Sequence, residues 1–276
     1  AVKAVTQDSL AQGGLKVYDW YVKPDFVGVV SDGSALNPFL SLKDAISASA
    51  DGDSIFLDGT DIISTEITLP HGLHIVGSIG SEIKYATYDA TNGNVFNYNG
   101  AYTHQFVFEN LIIKNAGGYG ILAKKALVFE IRRCKFFNNG WDGTNLNTVV
   151  DSVTSGVLGY DSINTDLQAF YAGTHASNGG AVRLQECPSP LIRESRAQYN
   201  LRGFRVQDCG IGGGGFIIEN QSLMNIESGI YLAAGSLGGC QNMVVTVNYT
   251  GFNANNGLLV IGGMNNEISQ MKSEGN

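Results

Sequence analysis

The sequence predicts an all-β protein, a right-handed, single-stranded parallel β-helix with a short capping helix at its N-terminal end. Three observations predict it. First, five asparagines, Asn115, Asn138, Asn200, Asn225 and Asn253, each close a short alternating apolar stretch a few residues before a glycine. Second, the segments ending on them superpose: FVFENLIIKN (Phe106 to Asn115), PLIRESRAQYN (Pro190 to Asn200), FIIENQSLMN (Phe216 to Asn225) and VVTVNYTGFN (Val244 to Asn253). Where nothing intervenes, successive asparagines lie 23, 25 and 28 residues apart, the period of a solenoid rather than of a hairpin sandwich. An inward Asn at each turn can donate its amide to the same position one coil away, so that a buried polar group is satisfied by a ladder. Third, VRLQEC (Val182 to Cys187) repeats as FRVQDC (Phe204 to Cys209) 22 residues later. Stacking at about 4.8 Å puts Arg183 over Arg205, Gln185 over Gln207 and Cys187 over Cys209. Two stacked arginines repel unless an anion lies across them, either a ligand or the nearby Glu186, Asp208 or Glu194.

In chain order, residues 1–38 form a lead-in and residues 39–276 the β-helix. SLKDAISASA, from Ser41 to Ala50, places Leu42, Ala45, Ile46 and Ala50 on one helical face, with Ser41 as N-cap and Asp44 three residues on. Such a helix covers the open end of a first coil. Strands follow at Ser54 to Leu57, Thr65 to Leu69 and Leu73 to Val76, and coiling begins there. Tyr18, Trp20 and Tyr21 precede the first coil, where they pack against the cap or a neighbouring subunit. Aligning EISQMKSEGN (Glu267 to Asn276) with VVTVNYTGFN puts the final residue on the next ladder position. The expectation is that the chain stops in mid-coil, truncated at the C-terminus or covered there by another chain.

Composition agrees with a secreted or virion-borne β protein. The 276 residues include 36 glycines, 5 prolines and 15% charged residues, enough for one large domain with frequent turns. No run approaches the roughly 18 apolar residues of a membrane span, and the N-terminus lacks a signal-peptide pattern. Four cysteines without CxxC or Cys/His spacing read as stacked core thiols, with a Cys187 to Cys209 disulfide as the alternative. A net charge of −8 argues against nucleic acid as a partner. All seven arginines nevertheless fall between positions 132 and 205. A basic stripe there suits an anionic glycan, because guanidinium grips carboxylate in a bidentate fork.

DGSALNPFLSLKDAISASADGDSIFLDGT resembles the entry segment of pectate-lyase-like β-helix proteins, in which a Gly, an Asn-Pro, an amphipathic helix and a Gly-Asp-apolar-Gly strand open the solenoid. The preceding LKVYDWYVKPDFVGVVSDG is most similar to the head-to-helix junction of bacteriophage tailspikes. The resemblance implies a virion tail or extracellular location, a homotrimer and a bacterial surface polysaccharide as partner. It does not bring a reaction with it. Of the polygalacturonase motifs only Asn164-Thr165-Asp166 occurs, the alginate-epimerase signature is absent, and no pectate-lyase arrangement of Asp with Lys or Arg is recognisable.

The interruption of the repeat is the candidate site. Between Asn138 and Asn200 lie 62 residues where one coil needs about two dozen, so roughly 40 residues, about 140–180, project as an excursion. It carries Trp141, Tyr160, Phe170, Tyr171 and His175 beside Asp142, Asp151, Asp161 and Asp166. Aromatic rings and paired carboxylates grip and hydrolyse sugar chains. Catalytic candidates are therefore Asp151, Asp161 and Asp166 as acid, base or nucleophile of a hydrolase. For a lyase, Arg183 and Arg205 neutralise a uronate while His175 or a Tyr abstracts the proton. Trp141, Tyr160, Tyr171, Arg183 and Arg205 are the substrate-binding candidates. No cofactor is required, although Asp161, Asn164 and Asp166 offer oxygen ligands for a structural Ca²⁺. The leading expectation is a tailspike-like protein that binds, and depolymerises, a bacterial polysaccharide. The alternatives are a non-catalytic glycan-binding adhesin or structural β-helix, and a secreted lyase or epimerase.

Overall fold

A computed structural model describes residues 17–141 and 179–275. These residues coil through three long parallel sheets, with nine strands in sheet A, eight in sheet B and seven in sheet C. The chain visits A, B and C in turn and then repeats, which is a parallel β-helix as the asparagine period predicts. The register of the repeated pair is the expected one, with Arg183 beside Arg205 and Gln185 beside Gln207. The C-terminal alignment holds as well, since Val244 pairs Glu267 and Tyr249 pairs Lys272.

Alternation along each strand decides what lies inside. Val182, Leu184, Phe204, Val206, Ile230 and Leu232 of sheet C point inward and are at most 1% exposed. Phe129 lies 5.3 Å from Phe106 and 5.4 Å from Phe108 in an aromatic stack along the axis. Burial of each such side chain contributes about 1.5–3 kcal/mol.

The three corners share one device. At the B-to-C corner, Asn115, Asn138, Tyr199, Met224 and Phe252 adopt φ between 52° and 65°, a left-handed kink that turns the next residue inward. That next residue is the ladder position, occupied by Ala116, Asn139, Asn200, Asn225 and Asn253. The Oδ1 atoms of Asn139, Asn200, Asn225 and Asn253 accept from the backbone N–H one coil earlier at 3.1 Å in each case. Their amides also chain together, Asn139 to Asn200 at 3.0 Å, Asn200 to Asn225 at 3.2 Å and Asn225 to Asn253 at 2.8 Å. The expected ladder thus exists over three of its five members. In the first two coils it falls one residue later than expected: Asn115 and Asn138 are the kinks, and Ala116 and Asn139 point inward.

The other corners carry ladders of their own. At the A-to-B corner Cys134, Ser195, Asn220 and Asn248 stack, with Asn220 Nδ2 donating to Asn248 Oδ1 at 3.1 Å. At the C-to-A corner Cys187, Cys209 and Cys240 follow one another, all buried and unpaired. The stacked-thiol expectation holds, with Cys187 N–H donating to Cys209 Sγ at 3.3 Å.

The N-terminal cap forms as predicted. Its helix spans Leu42–Ala48, Ser41 Oγ accepts from Asp44 N–H, and Leu42, Ala45 and Ile46 are buried. Trp20–Val22 joins sheet A beside Asp53–Leu57. Tyr18 stacks on Phe56 at 4.9 Å and Trp20 on Phe39 at 5.8 Å, so the lead-in aromatics pack onto the first coil.

Candidate functional site

The outer face of sheet C is where the two sequence-predicted arginines meet. Strands Tyr119–Lys124, Gly180–Gln185, Phe204–Gln207 and Ser228–Ala233 lie side by side. Because inward positions alternate with outward ones, their outer residues form two columns along the axis. One runs Leu122, Arg183, Arg205, Tyr231, and the other Lys124, Gln185, Gln207, Ala233. Glycines at the strand starts let the coils close up: a Cβ on Gly203 would stand 2.0 Å from the Gly229 carbonyl oxygen.

Arg183 Nη2 donates to Gln185 Oε1 at 3.1 Å and to Gln207 Oε1 at 2.9 Å, while Arg205 Nη2 reaches Gln207 Oε1 at 3.3 Å. The Arg205 guanidinium lies 5.2 Å from the centre of the Tyr231 ring, a cation–π distance. No carboxylate comes within ion-pair distance of either guanidinium among the described residues. Burial, with the neighbouring Arg205 charge adding to it, draws the Arg183 guanidinium below its usual value. The acids expected to neutralise the pair are engaged elsewhere. Glu186 is clasped by Gln185 at 2.9 Å and Tyr102 Oη at 3.2 Å, with Lys124 at 3.7 Å and Lys125 at 3.9 Å. Asp208 is 1% exposed and accepts backbone N–H groups from Gly235, Leu237 and Gly239 at 2.9, 3.3 and 2.7 Å, which fixes the loop beside Gln207. Glu194 belongs to another corner, with Arg133 and Arg193. Among the described residues, Lys124, Lys125, Arg183 and Arg205 thus share this face with two carboxylates, Glu186, held by the lysines, and Asp208, taken up by backbone N–H groups. Such a surface can receive an anion across Arg183 and Arg205 and a sugar ring against Tyr231.

The remaining arginines do not extend one stripe. Arg132 and Arg193 stack on sheet A, Arg196 stands on sheet B, and Arg133 turns the A-to-B corner. Arg202 grips Glu227 in a fork at 2.5 and 2.7 Å. Burial alone would lower the Arg202 guanidinium, but Glu227 outweighs it and raises it overall.

Trp141 departs from expectation as a sugar contact. It is 1% exposed and packs with Leu201, Tyr199, Met224 and Ile226, so its ring is part of a satellite core at the B-to-C corner. Sequence reasoning took it for part of the excursion, whereas Gly140, at the same corner, is still held to the coil by its N–H to Ala116 O at 2.8 Å. Asp151, Asp161, Asp166 and His175, the catalytic candidates, and Tyr160 and Tyr171, the two further aromatic contacts, lie outside the described residues, as does the Asp161, Asn164, Asp166 calcium triad. The described chain breaks off at Trp141 and resumes at Gly179, immediately before the sheet C strand that carries Arg183. His71, His74 and His104 have structural partners in Ser49, Glu109 and Asp51. Sequence reasoning missed Tyr231, Tyr102 and the Asp208 loop clasp. Tyr231 stands in the apolar segment GIYLAA, Gly229 to Ala234, and only the coil register sets it beside Arg205.

Among the described residues no helix is long and apolar enough to cross a membrane, and no three His, Cys, Asp or Glu side chains converge as for a metal. The chain matches no protein-family model and no curated protein. Among solved structures it is similar to the GH136 lacto-N-biosidase from Eubacterium ramulus, at 11% identity and a TM-score of 0.42 over 88% of this chain. It spans 55% of that structure's length.

Proposed function

We propose that this β-helix binds an acidic bacterial surface polysaccharide along the outer face of sheet C. One observation carries the reading. Arg183 and Arg205 are stacked in register, half-buried, without a carboxylate partner among the described residues, and next to the half-buried Tyr231. Like charges held together in partial burial cost free energy, and an anionic ligand offsets that cost. Bidentate guanidinium contacts to carboxylate supply geometry as well as charge.

A phage tail or another extracellular assembly is the setting that fits, and the tailspike-like lead-in supports it. The outer column of sheet A runs Val107, Glu130, Leu191, Phe216 and Val244, and its apolar run from Leu191 to Val244, with Phe216 47% exposed, supports self-association. The tailspike resemblance supplies the number three. Depolymerisation is the second reading, supported by the carboxylates and aromatics that directly precede the sheet C strand Gly180–Gln185 in the sequence. Asp151, Asp161, Asp166 and His175 are its candidates.

Affinity electrophoresis against acidic and neutral capsular and O-antigen polysaccharides tests the reading. Retardation by an acidic polymer, weakened about tenfold or more in Arg183→Gln and Arg205→Gln, is the expected result. Equal retardation of wild type and both variants would remove sheet C from the account. Release of reducing ends or of unsaturated uronate in the same samples decides between a binder and a depolymerase.

A further inference from the structure

A second set of cations stands on sheet B, on the far side of the A-to-B corner from sheet A. Lys135, Arg196 and Gln221 pair in register on successive strands, followed by Tyr249. Lys135, Arg196 and Gln221 line a cleft of about 310 Å³ together with Arg133, Glu194, Ser195 and Glu219. The charges in this cleft divide into two groups. Glu194 is neutralised by Arg133 at 3.5 Å and Arg193 at 2.8 Å, and Arg133 also holds Glu109. Lys135 and Arg196 have no ion pair among the described residues, and the Nε of Arg196 is buried without a hydrogen-bond partner. Glu219, exposed at the rim, has no cation within ion-pair distance, and Gln221 is exposed beside it.

We infer that this cleft is a binding site for one acidic sugar residue. Its anionic group, a carboxylate or a sulfate ester, lies across Lys135 and Arg196, and its hydroxyls meet the acceptor Glu219 and the amide of Gln221. Cations alone would take any anion. The free carboxylate of Glu219 repels a bare anion, while it and the Gln221 amide reward neighbouring hydroxyls, and that combination selects a sugar. The site stands apart from sheet C, so the inference does not rest on the reading of Arg183 and Arg205.

The test is an NMR titration of the whole chain with sodium glucuronate, glucose 6-sulfate and, as control, inorganic sulfate at matched ionic strength. The backbone amides of Lys135, Arg196 and Gln221 are followed. Saturable shifts with glucuronate or glucose 6-sulfate are expected, at least tenfold tighter than with inorganic sulfate. Which sugar saturates first identifies the anionic group. Binding should weaken about tenfold in Arg196→Gln and in Lys135→Gln, and persist in the Arg183→Gln/Arg205→Gln double variant. No saturation by either sugar, equal binding of inorganic sulfate, or unchanged binding in Arg196→Gln overturns the inference. Each sheet B variant is checked for a wild-type amide spectrum at the core positions Phe136 and Ala197, so that misfolding is not read as lost binding.

Discussion

Asn200 shows how one side chain serves two coils. Its Oδ1 accepts from the Asn139 backbone and amide, and its Nδ2 donates to Phe136 O at 3.2 Å, Gln198 O at 3.0 Å and Asn225 Oδ1 at 3.2 Å. An alanine there leaves several buried donors and acceptors without partners. Asn200→Ala should therefore destabilise the protein by about 2–4 kcal/mol in urea unfolding, and a loss below about 0.5 kcal/mol would contradict the ladder. The cysteine ladder works without hydrogen bonds of that strength. Burial pushes the Cys134 thiol up to about 12 and the Cys240 thiol up to about 11. Because the thiolate is the reactive form, and burial also raises the Cys209 thiol, iodoacetamide at about pH 8 should leave Cys134, Cys209 and Cys240 unmodified in the native protein and label them in urea. Rapid native labelling would show that the corner opens.

At the scale of elements, what was legible in the sequence depended on whether a residue's own chemistry announced its position. The helix Leu42–Ala48 was legible because Ser41 and Asp44 cap it and its apolar residues repeat at helical spacing. The register of VRLQEC over FRVQDC was legible because two strands carry the same inward and outward residues. The corner kinks were not. Arg133, Glu194, Glu219 and Val247 adopt φ of 51° to 59°, a conformation costing about 1–2 kcal/mol outside glycine, and nothing in those side chains signals it. Stacking imposes the kink, and that is why Asn138 could be mistaken for the inward Asn139. Charge pairing across strands is a smaller contribution. Burial alone would raise the Glu82 carboxyl, but hydrogen bonds from Lys114 and Lys84 outweigh it and lower it overall. A carboxyl lowered by folding stabilises above its unfolded value of about 4.3, and the gain is lost as pH falls through the folded value. Glu82→Gln should cost about 1 kcal/mol at pH 7, with the difference from wild type vanishing in acid. A cost that persists at low pH would show that shape, not charge, is responsible.

On the scale of the whole molecule, parallel coiling turns a one-dimensional repeat into columns, and each column repeats one kind of chemistry along the axis. Inward columns hold aliphatic, aromatic, amide or thiol groups, and their uniformity lets each coil satisfy the next. Outward columns are free to vary, and among the described residues Lys135, Arg196, Arg183 and Arg205, cations without a carboxylate partner, stand on sheets B and C. The predicted catalytic aspartates lie outside the described residues, in a stretch whose sequence carries no repeat and so supplies no register to reason from. The sheet C face belongs to the repeat, and the placement of Arg183 beside Arg205 was therefore legible, while that of Tyr231 needed the stacking to be seen. The most direct measurement is a crystal structure of the protein with an oligosaccharide prepared from the acidic polymer it retains. The account predicts the anionic group within hydrogen-bond distance of Arg183 and Arg205, with a sugar ring against Tyr231. A ligand seated elsewhere, with Arg183 and Arg205 still facing only Gln185, Gln207 and Tyr231, would contradict it.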